Sequence, residues 1–84
     1  MIKKWALLPR GQVMVPVGRV IAAGAQGGEV VCWTDDLDTD GEIAVVTVFT
    51  GDDAPDHMDH VDTVLLHDGA IVVHVYCDAG WTKR

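Results

Sequence analysis

Short runs of Val, Ile and Thr, each ended by a glycine or an Asp-Gly pair, recur along this 84-residue chain. That punctuation leaves few folds open. No stretch repeats apolar residues at i, i+3, i+4 and i+7 for long enough to make a substantial helix. The runs predict six or seven strands, at 2–8, 12–17, 19–25, 29–34, 42–50, 61–67 and 70–77. Asp68-Gly69 between two apolar runs is the favoured two-residue hairpin signal, because both central residues need positive φ. Gly27-Gly28 and Asp40-Gly41 read in the same way. Three hairpins in series make an antiparallel meander, so the expected fold is all-β, a small barrel or sandwich forming a single domain over residues 1–84. Residues 51–60 are too polar for a strand and predict a loop, with one helical turn started by Asp56.

Several of these strands are apolar on both faces. In the 43–49 run, Ile43, Val45 and Phe49 lie on one side and Ala44, Val46 and Val48 on the other. The last strand sets Ile71, Val73 and Val75 against Val72, His74 and Tyr76. A sheet with one wet face alternates cleanly, so something covers the second face. Either a closed sandwich buries both sides or subunits of a homo-oligomer stack on them; the size of the apolar faces favours the oligomer.

Charge narrows the choice of partners. The net charge is −7, and no Lys or Arg occurs between positions 20 and 82. The cations are Lys3, Lys4, Arg10 and Arg19 at the front, with Lys83 and Arg84 at the end. Duplex nucleic acid needs clustered cations facing phosphate and is therefore not expected. No apolar run approaches the ~20 residues of a membrane span. After Lys3-Lys4 only four apolar residues precede Pro9, too few for a secretory signal, so the expected location is cytoplasmic. In that setting Cys32 and Cys77, inside apolar runs, read as reduced core residues.

The motifs that suggest chemistry each fall short. Asp36-Leu37-Asp38-Thr39-Asp40-Gly41-Glu42 resembles half of a calcium loop, but Thr47 stands where the bidentate Glu is required and no helices flank it. Asp56-His57-Met58-Asp59-His60 offers imidazoles and carboxylates but lacks the cysteine partners of a closed zinc site. Neither is expected to hold a metal. Serine is absent from the chain, which removes Ser–His catalysis, and neither Cys lies near a cation that would lower its pKa. The Gly24–Gly28 run lacks the Lys-Ser/Thr of a phosphate loop. No enzyme activity and no cofactor are expected.

Candidate binding residues remain. Trp5 and His74 could stack on a base or ribose, and Lys4, Arg10 and Arg19 could meet phosphate. For Trp33, beside Cys32, core packing is the expected role.

Taken together the landmarks resemble a family of short, uncharacterised proteins encoded by bacteriophages and prophages. They are the opening Lys4, Trp5 and Leu7, the Val15-Pro16-Val17-Gly18 turn before Val20-Ile21, then Cys32-Trp33, and the closing segment His67 to Tyr76. The pattern departs at Gly51-Asp52, where the family carries Gly-His. The resemblance implies a non-enzymatic accessory protein in the host cytoplasm that acts on host defence. One expectation is a homo-oligomer that sequesters a nucleotide-like signal. A second is an acidic inhibitor or adaptor that docks residues 35–62, with ten carboxylates and no cation, on a basic host protein. A third is a minor structural phage protein.

Overall fold

In the computed structural model, which describes residues 1–82, seven strands form two antiparallel sheets. β1 (Ile2–Ala6), β4 (Glu29–Asp36) and β3 (Gly18–Gln26) make a three-stranded sheet in the order β1-β4-β3. β2 (Gly11–Pro16), β5 (Glu42–Phe49), β7 (Ile71–Asp78) and β6 (Met58–Leu66) make a four-stranded sheet in the order β2-β5-β7-β6. The sheets are packed face to face and not closed into a barrel, so the all-β expectation resolves to a sandwich. Among the described residues no helix is long and apolar enough to cross a membrane.

One core lies between the sheets. Val20, Val30 and Cys32 come from one sheet, and Val15, Ile43, Val45, Val64, Val73, Val75 and Cys77 from the other. Both thiols are free and fully buried. Period-two alternation explains the membership: each core residue is flanked by neighbours that point away.

The turns depart from the expected meander. Gly27-Gly28 does close a two-residue hairpin, with φ of 57° and 79° and Gln26 paired to Glu29. Asp40-Gly41 makes no hairpin, because β4 and β5 belong to different sheets and the chain crosses between them there. At Asp68-Gly69 the closing pair is Leu66 with Ile71, so the turn takes in residues 67–70. His67, Asp68 and Gly69 all adopt positive φ, and the Ala70 N–H donates to His67 O at 3.1 Å. β6 starts at Met58, where a loop and a helical turn are expected; the pairing of Met58–His60 with β7 outweighs their polar composition. β1 ends two residues early, where Leu7 turns into the core.

β5 and β6 run parallel with β7 between them, so residues 50–57 must cross β7. They are mostly exposed and so do not pass through the core. The segment opens with a turn: the Asp52 N–H donates to Phe49 O at 3.0 Å, Asp52 Oδ2 accepts the Phe49 N–H at 2.9 Å, and Arg10, just before β2, bonds Asp52 Oδ1 at 2.8 Å. Thr50 starts it, with its Oγ1 2.8 Å from His74 Nε2. Val46, Val48, Val72 and Tyr76, on the outer face of this sheet, are half-buried. Met14 and Leu65, on the same face, are 46% and 59% exposed.

Candidate functional site

Of the five residues singled out for binding, only Lys4 and Arg19 share a face. Both lie on the outside of the three-stranded sheet, where Lys4 is opposite Trp33 and Arg19 opposite Asp35. Trp5, one residue from Lys4, points the other way and packs against the core. Its indole Nε1–H donates to the buried Thr34 Oγ1 at 2.8 Å, which spends the polar handle a stacking platform would offer. Arg10 lies elsewhere, bonded to Asp52 Oδ1 at 2.8 Å with its guanidinium 5.7 Å from the centre of the Phe49 ring. His74 belongs to the outer face of the other sheet. The two tryptophans thus face opposite ways: half-buried Trp5 packs against the core, and Trp33, for which core packing was expected, faces outward.

Trp33 faces out because Cys32 and Thr34 face in. Its six-membered ring lies against Gly24 on the neighbouring strand. A Cβ added there would sit 3.3 Å from Trp33 Cζ3 and 3.4 Å from Cη2. Glycine in mid-strand lets the indole lie down across the sheet. Lys4 reaches over β4 and donates from Nζ to Gln26 Oε1 at 2.8 Å. This arch covers Val31, which is only 4% exposed although it is no part of the inter-sheet core.

Charge pairing separates the front cations. Lys3 is bonded to Asp36 Oδ2 and Arg10 to Asp52 Oδ1, each at 2.8 Å. Lys4 meets only a neutral amide, and among the described residues Arg19 has no ion pair. The Lys3 ammonium, helped by the Asp38 N–H, holds the Asp36 carboxyl below its ordinary pKa. Lys83 and Arg84 lie outside the described residues.

On the outer face of the four-stranded sheet, Thr63 Oγ1 lies 3.1 Å from both His60 Nε2 and His74 Nδ1, while Thr50 Oγ1 takes the other His74 nitrogen. A bulge between His60 and Asp62 puts His60 and Thr63, three apart, on one face. His60 also meets the Tyr76 ring edge-on at 5.2 Å. Both nitrogens of His74 are thus engaged.

No group of His, Cys, Asp or Glu among the described residues is arranged to hold a metal ion. In the 36–42 segment Asp36 instead caps its own turn by accepting the Asp38 N–H at 2.9 Å. Burial pushes the Cys32 thiol up to about 11 and the Cys77 thiol up to about 12, the latter helped by Asp59 and Asp78.

Sequence reasoning missed Trp33, Gly24 and Gln26. The usable signal was alternation: Cys32 and Trp33 are adjacent in one strand and cannot both face the core. Gly24 within an apolar run was the second sign, since a strand glycine marks a close approach.

No curated protein and no solved structure matches this chain. The pattern of a family described as a domain of unknown function (DUF7352) does match, over residues 2–82. That span takes in all seven strands, and the chain belongs to the DUF7352 family.

Proposed function

We propose that this chain is a binding module without chemistry, which holds a small nucleotide-like anion on the outer face of its three-stranded sheet. One observation carries the reading: the two described cations that no carboxylate neutralises, Lys4 and Arg19, stand on the face where Trp33 lies flat. An aromatic plane flanked by available cations suits a base and its phosphate, and stacking of this kind is worth ~1–3 kcal/mol. Catalysis has no place in this reading, since serine is absent and both thiols are buried and kept protonated. The setting we propose, a bacteriophage accessory protein that traps a nucleotide signal of host defence in the host cytoplasm, rests on the sequence resemblance alone.

The test is native mass spectrometry of the protein with linear and cyclic mono- and dinucleotides, followed by calorimetry on any nucleotide retained. The expected result is one nucleotide per site, with affinity lowered at least ~tenfold by Trp33→Ala, Lys4→Ala or Arg19→Ala. Retention that these substitutions leave unchanged, or no retention at all, overturns the assignment.

A second reading is docking on a basic host protein, which the exposed Asp38, Asp40 and Glu42 beside the sheet-to-sheet crossing favour. Binding of that kind weakens steeply with added salt, and salt-independent capture would count against it.

A further inference from the structure

A two-sheet sandwich has four edge strands, here β1, β3, β2 and β6. Two of them cover each other. β3 and β6 run side by side, and the C-terminal segment ties them together: Val20 N–H donates to Trp81 O at 2.6 Å and Thr82 Oγ1 to Asp59 Oδ2 at 3.2 Å. β1 carries Lys3 and Lys4, the kind of charge that discourages edge pairing. β2 has no charged residue and no bulge, and among the described residues no backbone partner is found along its outer side.

The groups it presents follow from the register. Ala44 N–H donates to the Asp78 carboxylate at the end of β7, so Ala44, Val46 and Val48 turn their backbone polar groups toward β7. Ile43, Val45 and Thr47 therefore serve β2, where their partners are Val15, Val13 and Gly11. That leaves Gln12 and Met14 with N–H and C=O directed away from the sheet. Pro16, which has no N–H, falls in the same outward set, as an edge strand allows.

We propose that this edge pairs with itself: a second copy docks its β2 antiparallel to β2 about a two-fold axis at Val13. Gln12 then faces Met14 of the second copy, and Met14 faces its Gln12. Each pair exchanges both backbone bonds, so four N–H···O bonds form without altering either monomer. Val13, half-buried at the rim of the core, meets its own counterpart and completes its burial. A copy of the same strand fits for two further reasons. In a chain of net charge −7 the paired segments bring no charges into opposition. The antiparallel arrangement also sets Arg10 opposite Pro16 of the second copy, whose neighbour across the sheet is Glu42.

Sedimentation equilibrium from ~10 µM to ~1 mM tests the proposal, with amide hydrogen exchange on the same samples; a six-residue edge suits a dissociation constant of ~10–100 µM. The expected result is a dimer whose Gln12 and Met14 amides slow as concentration rises. Gln12→Lys with Met14→Lys, both at exposed positions, raises the dissociation constant at least ~tenfold. Met14→Pro, which deletes an N–H that the monomer does not use, does the same. A wild type that stays monomeric to ~1 mM overturns the proposal, and its edge would then be open to an extended peptide from another protein. A dimer that survives both variants, or whose Gln12 and Met14 amides exchange at the monomer rate, overturns it equally.

Discussion

Replacing Thr34 with Val tests whether Trp5 is a structural residue. Thr34 is 1% exposed, and its hydroxyl oxygen accepts the Trp5 indole N–H at 2.8 Å. Valine has nearly the same shape, so the substitution opens no cavity and removes only the acceptor. The indole N–H is then left at a part-buried site without a partner, a loss of about 2 kcal/mol within the ~1–3 kcal/mol range for such groups. For a domain of this size that lowers Tm by roughly 10 °C. The informative measurement is the double-mutant cycle with Trp5→Phe. In the Trp5→Phe background the Thr34 hydroxyl has no indole to serve, so Thr34→Val becomes neutral or stabilising by up to ~1 kcal/mol. Urea unfolding of the four proteins, followed by circular dichroism, gives the coupling, expected near ~2 kcal/mol. An equal cost of Thr34→Val in both backgrounds would refute the inward anchoring of Trp5 and return it to the binding candidates.

Two further predictions follow from packing and burial. A Cβ at Gly18 would lie 2.7 Å from the Asp35 carbonyl oxygen, which is backbone and cannot swing aside. Gly18→Ala therefore costs about 2 kcal/mol, read by thermal melting, whereas Gly27→Ala, with open space but φ of 57°, costs about 1 kcal/mol from conformation alone. The thiols make stability fall in alkali. An unfolded chain ionises them near 9, and the folded chain not until about 11 for Cys32 and about 12 for Cys77. Their contribution is complete below pH 9 and is lost as pH climbs from there through the folded values. Cys32→Ala with Cys77→Ala should flatten that alkaline limb in urea melts taken from pH 8 to about pH 11.

Much of the fold was legible in the sequence because β-rich runs and glycine turns are local signals. The Gly27-Gly28 hairpin is fully determined by two adjacent residues that tolerate positive φ. Asp40-Gly41 carries the same kind of local signal yet joins two sheets, since a turn fixes a change of direction and not the strand the chain pairs with next. The two-faced apolar strands were legible by composition, and their outward residues Val46, Val48, Val72 and Tyr76 are half-buried. That residues 50–57 must pass β7 follows only from β7 lying between β5 and β6. In the candidate site, Lys4 and Arg19 were identifiable by charge. Trp33 was hidden by its neighbour: adjacent residues in a strand share surroundings in sequence and have opposite surroundings in space.

The order β2-β5-β7-β6 also has a consequence for how the chain reaches its fold. The strand latest in sequence occupies an interior position, hydrogen-bonded on both sides to strands that precede it. While the protein is being synthesised, β5 and β6 leave the ribosome with their facing edges unpaired, and nothing joins them until residues 71–78 arrive. The core contributions of Val73, Val75 and Cys77 arrive at the same moment. Folding is thereby delayed until nearly the whole domain has emerged. A chain broken off before Ile71 would present two bare, apolar strand edges to whatever lies nearby, the condition that favours aggregation.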